Sequence, residues 1–127
     1  MDTTDQYIEM CMKAVEIQDK RPRENAEPLF TPRNRVHIFN DGNFYYYDEL
    51  HLLVRQHYWL PRQDQLQDMI MKTQIGNDTY CYTSLILDFV DFVNRPSELF
   101  TLEQQWLVFV MKEIYNKVWN DKDWVEL

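Results

Sequence analysis

The sequence predicts a small α+β fold, a single domain over 1–127 with about four helices packed on a β-hairpin or short antiparallel sheet. Three observations carry this. Hydrophobic residues make up 45% of the 127, enough to build a core. Two Thr-x-x-Gln patterns, at Thr3 and Thr101, each precede apolar residues at helical spacing. Asp41-Gly42 sits between two β-favouring runs.

Thr3-Thr4-Asp5-Gln6 opens a helix over 4–18, with Tyr7, Ile8, Cys11, Met12, Ala14 and Val15 recurring on it. Lys20-Arg21-Pro22 ends it, and Pro22, Pro28 and Pro32 make 19–34 an extended loop in which Leu29-Phe30 is a candidate edge strand. A hairpin follows over 35–47, where Val36 and Ile38 alternate with His37 and Phe39 and Asp-Gly supplies the positive φ angles of a tight turn. Leu50, Leu52, Leu53 and Val54 fit either a short helix capped by Asp48 or a third strand, and a third strand or irregular return is the preferred reading of 48–55. Pro61 forces Tyr58-Trp59-Leu60 into an extended run and is placed to start a helix over 61–72, which Gly76 closes. Leu85, Ile86, Phe89, Val90 and Val93 form one stripe of a helix over 83–93, with Asp88 and Asp91 opposite. The longest helix, 101–119, begins at the Thr101 box, runs through Trp106, Phe109, Val110, Ile114 and Val118, and leaves an acidic tail carrying Trp124.

Composition excludes several classes of function. With only Gly42 and Gly76, the chain lacks the material for a phosphate-cradling loop. A net charge of -8 opposes phosphate backbones and anionic membranes at long range, and favours a partner with a basic surface. Cys11 and Cys81 both fall in helical segments and read as small buried hydrophobes. No apolar run approaches a bilayer span and no leader pattern opens the chain, which points to the cytosol.

Chemistry-bearing constellations are sparse. His37, His51 and His57 lack metal-ligand spacing, so neither a metal nor a cofactor is implied. Asp88 and Asp91 share a helix face without a nameable third ligand, and no nucleophile stands beside a base, so the reading is of a protein that is not an enzyme. The candidate partner-binding residues are Asp88, Asp91, Glu98, Glu103, Asp121, Asp123 and Glu126, together with Arg62 and Gln63 at an amide-rich helix start. An alternative site for single-stranded nucleic acid combines Arg21, Arg23, Arg33 and Arg35 with Tyr45 and Tyr46 as stacking platforms. Tyr46, Trp119 and Trp124 leave a homodimer open.

Two blocks, Trp59-Leu60-Pro61-Arg62-Gln63-Asp64-Gln65-Leu66-Gln67 and the run from Glu103 to Trp119, resemble small proteins carried by phages and prophages of Gram-positive bacteria, and Tyr7 to Cys11 with Ala14 to Gln18 is similar too. The likeness implies a phage setting and transfers no functional residue. By analogy of class it implies a non-enzymatic accessory protein that occupies a host or phage protein in the host cytosol, such as an inhibitor of a CRISPR nuclease or another defence effector. The alternative is an accessory protein of phage DNA metabolism.

Overall fold

A computed structural model describes residues 1–22, 36–39, 41–48, 56–77, 79–93 and 100–127. The expected edge strand at Leu29-Phe30 and the choice between helix and strand over 49–55 lie outside these residues. Helices and small antiparallel sheets together make the fold α+β. The chain divides into two compact units, Thr3–Arg62 and Met1–Asp2 with Gln63–Leu127, where the sequence reading has one domain.

The first unit holds α1 (Asp5–Lys13), α2 (Val15–Gln18) and a three-stranded sheet of β1 (Val36–Ile38), β2 (Phe44–Asp48) and β3 (Gln56–Leu60), in the order β1-β2-β3. α1 begins one residue later than the Thr3 pattern suggests: Thr4 is the N-cap, its hydroxyl accepting from the Tyr7 N–H. The single helix expected over 4–18 is interrupted at Ala14, whose ψ of 77° leaves the helical region. In an unbroken helix the Cys11 carbonyl would accept from the Val15 N–H. Here it accepts from the Ala14 N–H at 3.2 Å and from Gln18 Nε2 at 2.9 Å.

That break delivers Gln18 to the sheet. Its Oε1 accepts from the Trp59 N–H at 2.7 Å and its Nε2 donates to the Trp59 carbonyl at 2.9 Å. Trp59 lies opposite Tyr45 in the β2–β3 ladder, and its N–H and C=O face away from β2. One side-chain amide therefore stands in for a neighbouring strand on the edge of β3. Tyr7 reaches the end of the same strand, its hydroxyl donating to the Pro61 carbonyl. Tyr7, Met10, Cys11, Ala14, Ile17, Phe39, Tyr45, Trp59 and Leu60 are buried.

The hairpin at Asp41-Gly42 forms, with Val36 opposite Tyr46 and Ile38 opposite Phe44. Its turn differs from the tight two-residue kind. Gly42 takes positive φ, +83°, its N–H donating to the Phe39 carbonyl while the Phe39 N–H donates to the Asn43 carbonyl. The loop thus spans three positions closed by a glycine bulge.

The second unit holds α3 (Gln63–Thr73), α4 (Tyr82–Val93), α5 (Leu102–Tyr115) and a hairpin of β4 (Lys117–Trp119) with β5 (Trp124–Glu126). α3 starts at Gln63, two residues after Pro61, and Gly76 with φ +92° follows its end. α5 is its central element: Trp106, Leu107, Phe109, Val110 and Met111 are all buried, so the helix is covered nearly all round. Phe89 of α4 stacks on Trp106 at 3.7 Å and 6°, with Phe109 edge-on to both. The capping box at Thr101 is present, Gln104 N–H donating to the Thr101 hydroxyl and Gln104 Oε1 accepting from the Thr101 N–H. Asp2 extends it, its buried carboxylate accepting from the Thr101 hydroxyl and from Gln104 Nε2.

The helix expected over 101–119 ends at Tyr115, and the acidic tail is a hairpin. Asn116 adopts the left-handed conformation (φ 56°, ψ 43°) and its N–H caps carbonyls of the last turn. Asn120 Oδ1 then accepts from the Lys122 and Asp123 N–H groups, shaping a turn that brings Trp119 opposite Trp124 with ring centroids 5.1 Å apart. A cross-strand tryptophan pair and a side-chain-made turn outweigh the helical spacing that continues through Val118.

Replacing Gln18 by Ala is expected to cost about 1–3 kcal/mol by orphaning the Trp59 backbone groups, read as lost hydrogen-exchange protection at the Trp59 amide. Asn116→Ala is expected to cost about 1 kcal/mol, whereas Asn116→Gly, which adopts φ above zero freely, does not; urea unfolding of both variants checks this.

Candidate functional site

The expected carboxylates fall into three groups. Asp88 and Asp91 are exposed on α4. The Tyr80 hydroxyl donates to Asp88 at 3.2 Å, and partial burial, with the Asp88 charge second, holds the Tyr80 phenol above its usual range. Asp121, Asp123 and Glu126 are exposed on the β4–β5 hairpin, with Asp121 at φ 78° in the turn and Glu126 opposite Lys117 in the ladder. Glu103 is half-buried in the first turn of α5, 3.5 Å from the Met1 amino group, so its charge is partly met. Glu98 lies outside the described residues.

Arg62 and Gln63 are both half-buried. They belong to different units, and Arg62 Nη1 donates to the Gly42 carbonyl at 2.6 Å, fastening the hairpin turn to the end of β3. Gln63 is half-buried as the first residue of α3.

The nucleic-acid constellation loses its platforms. Tyr45 is 1% exposed and packs on Phe39 at 4.6 Å, while Tyr46 is 8% exposed, so neither ring offers a free face for a base. Arg21 is exposed, its guanidinium 3.4 Å from the His57 carbonyl; Arg23, Arg33 and Arg35 lie outside the described residues. His57 is a half-buried aromatic neighbour of Phe39 and Tyr45, and His51 is outside the described residues. Among the described residues no three His, Cys, Asp or Glu side chains are placed to hold a metal ion. No described helix is long and apolar enough to cross a membrane.

Two features escape the sequence reading. Cys11 is buried as expected, but Cys81 is exposed, immediately before α4. The Cys81 N–H donates to Ser84 Oγ at 3.4 Å, and the two side chains are 3.6 Å apart. Hydrogen bonds from Ser84 to the sulfur, with a smaller contribution from Thr83, lower the thiol pKa below its ordinary value. The visible signal is a serine three residues after the cysteine at the start of an apolar run, the position from which a side chain can reach back to the N-cap N–H. The second feature is α4 itself: Leu85 and Phe89 are buried, yet Ile86 and Val90, expected on the same inward stripe, are exposed.

No protein-family model, curated protein or solved structure matches the chain.

In the folded chain one thiol is expected to react with a disulfide reagent, with a midpoint pH below that of a free cysteine. Ser84→Ala, which removes the side-chain hydrogen bond but keeps the larger one from the Ser84 backbone N–H, is expected to raise that midpoint only in part, and Cys81→Ser to abolish the reaction.

Proposed function

We propose that the chain is a non-enzymatic, phage-type accessory protein that works in the host cytosol by occupying a protein with a basic surface. The concrete instance is a nucleic-acid-binding defence effector such as a CRISPR nuclease, whose basic groove would otherwise take its nucleic acid. The observation that carries this reading is where the negative charge lies. Of a net charge of -8, Asp88 and Asp91 stand exposed on α4, and Asp121, Asp123 and Glu126 stand exposed on the terminal hairpin. Such an exterior steers association with a cationic groove and repels phosphate. The resemblance of 59–67 and 103–119 to small phage and prophage proteins supports the setting. Burial of Tyr45 and Tyr46 weighs against the competing single-stranded nucleic-acid reading.

A panel of purified CRISPR nucleases, each assayed for target cleavage with and without the chain, tests this directly. Inhibition is expected for a member of the panel, with an association rate that drops about tenfold between low and high salt. Asp121→Asn, Asp123→Asn and Glu126→Gln together should slow association further at low salt. A gel shift with single-stranded DNA that vanishes in Arg33→Ala, Arg35→Ala would overturn the proposal in favour of the nucleic-acid role.

A further inference from the structure

Helix α4 is more apolar than its packing uses. Leu85 and Phe89 are its buried positions, Phe89 being the one stacked on Trp106. At about 100° per residue, Ile86, Val90 and Leu87 follow in turn around the helix, covering roughly another 100° beyond the buried edge. They are 42%, 54% and 63% exposed, and Tyr82, one turn before Ile86, is 59% exposed. A helix packed on one side normally carries an apolar stripe about 100° wide; here that width is nearly doubled. Contiguous apolar surface of this kind, rimmed by polar groups, marks an interface.

The rim names the occupant. Asp91 follows Leu87 around the helix by about 40° and borders the apolar face, with Ser84 and then Asp88 on the polar side beyond it, and both carboxylates are exposed. A second copy of this chain would bring like-charged rims together and add its own charge of -8 to the assembly. A segment that is apolar along one side and lined with Lys or Arg meets both the face and its rim. We infer that the exposed face of α4, formed by Tyr82, Ile86, Leu87 and Val90 with Asp91 at its border and Asp88 beyond, docks a basic amphipathic helix of the partner protein. This rests on the reading above that the partner is basic. It adds that apolar anchoring on α4 holds the complex that charge assembles.

The test titrates the isotope-labelled full chain with three designed helical peptides. One has a leucine stripe flanked by Lys and Arg, the second the same stripe flanked by Glu, and the third a serine stripe flanked by Lys and Arg. Binding of the first is expected, with amide shifts concentrated between positions 82 and 91 and at least tenfold preference over the other two. Leu87→Glu and Val90→Glu should each weaken it tenfold or more with unchanged thermal midpoints, since both positions are exposed. Asp88→Asn with Asp91→Asn should weaken it three- to tenfold and flatten its salt dependence. If the serine-stripe peptide binds equally, or the shifts fall on the β4–β5 hairpin, the docking face is wrong while a basic partner stands. Equal binding of the Lys/Arg-flanked and Glu-flanked peptides would remove the basic partner itself. Self-association of the chain that Val90→Glu abolishes would give the face to a second copy and end the proposal.

Discussion

Backbone groups left over where an element ends or a sheet has an edge must still find partners, and this chain meets that demand with hardly any glycine. Side-chain amides take the role. Gln18 closes both the Trp59 N–H and C=O on the edge of β3 and, through the same Nε2, the Cys11 carbonyl freed by the break at Ala14. Gln104 is buried at the start of α5 with its oxygen on the Thr101 N–H and its nitrogen on Asp2. Asn116 supplies the left-handed residue that ends α5, and Asn120 makes the turn that follows. Each joint therefore depends on a directional contact that a generic polar residue would not make.

In the helical unit the joints decide what reaches the surface. Ending α5 at Tyr115 converts the residues that would have made a fifth helical turn into part of a hairpin, and that exposes Asp121 and Asp123 around a defined turn. Covering α5 nearly all round consumes the buried faces of its neighbours, of which α4 contributes little more than Leu85 and Phe89. Of the remaining apolar side chains of α4, Leu87 borders Asp91, with Asp88 further round the polar side. On the proposed reading, charge that steers and apolar area that holds then share one helix.

In the sheet unit the same economy removes surface. Arg62, which reads in sequence as a candidate recognition residue, is committed to the Gly42 carbonyl, and Arg21 leans on His57. Tyr45 and Tyr46 point to opposite faces of β2 yet both are buried, so the strand is covered on each side.

Sequence by itself determined the elements whose cause is local: the α+β class, the Asp41-Gly42 hairpin, the Thr101 capping box, the extended run before Pro61 and the helical spacing of α4. These follow from side-chain size, φ preference and capping geometry within a few residues. Only the tertiary structure decided that Ala14 breaks the first helix, since the competing partner of the Cys11 carbonyl is a glutamine amide already engaged 41 residues away at Trp59. It likewise decided that Trp119 pairs with Trp124 instead of extending α5, and that Ile86 and Val90 face outward. Periodicity states that a helix has an apolar sector; which part of that sector is covered depends on how much area the neighbouring elements have left to give.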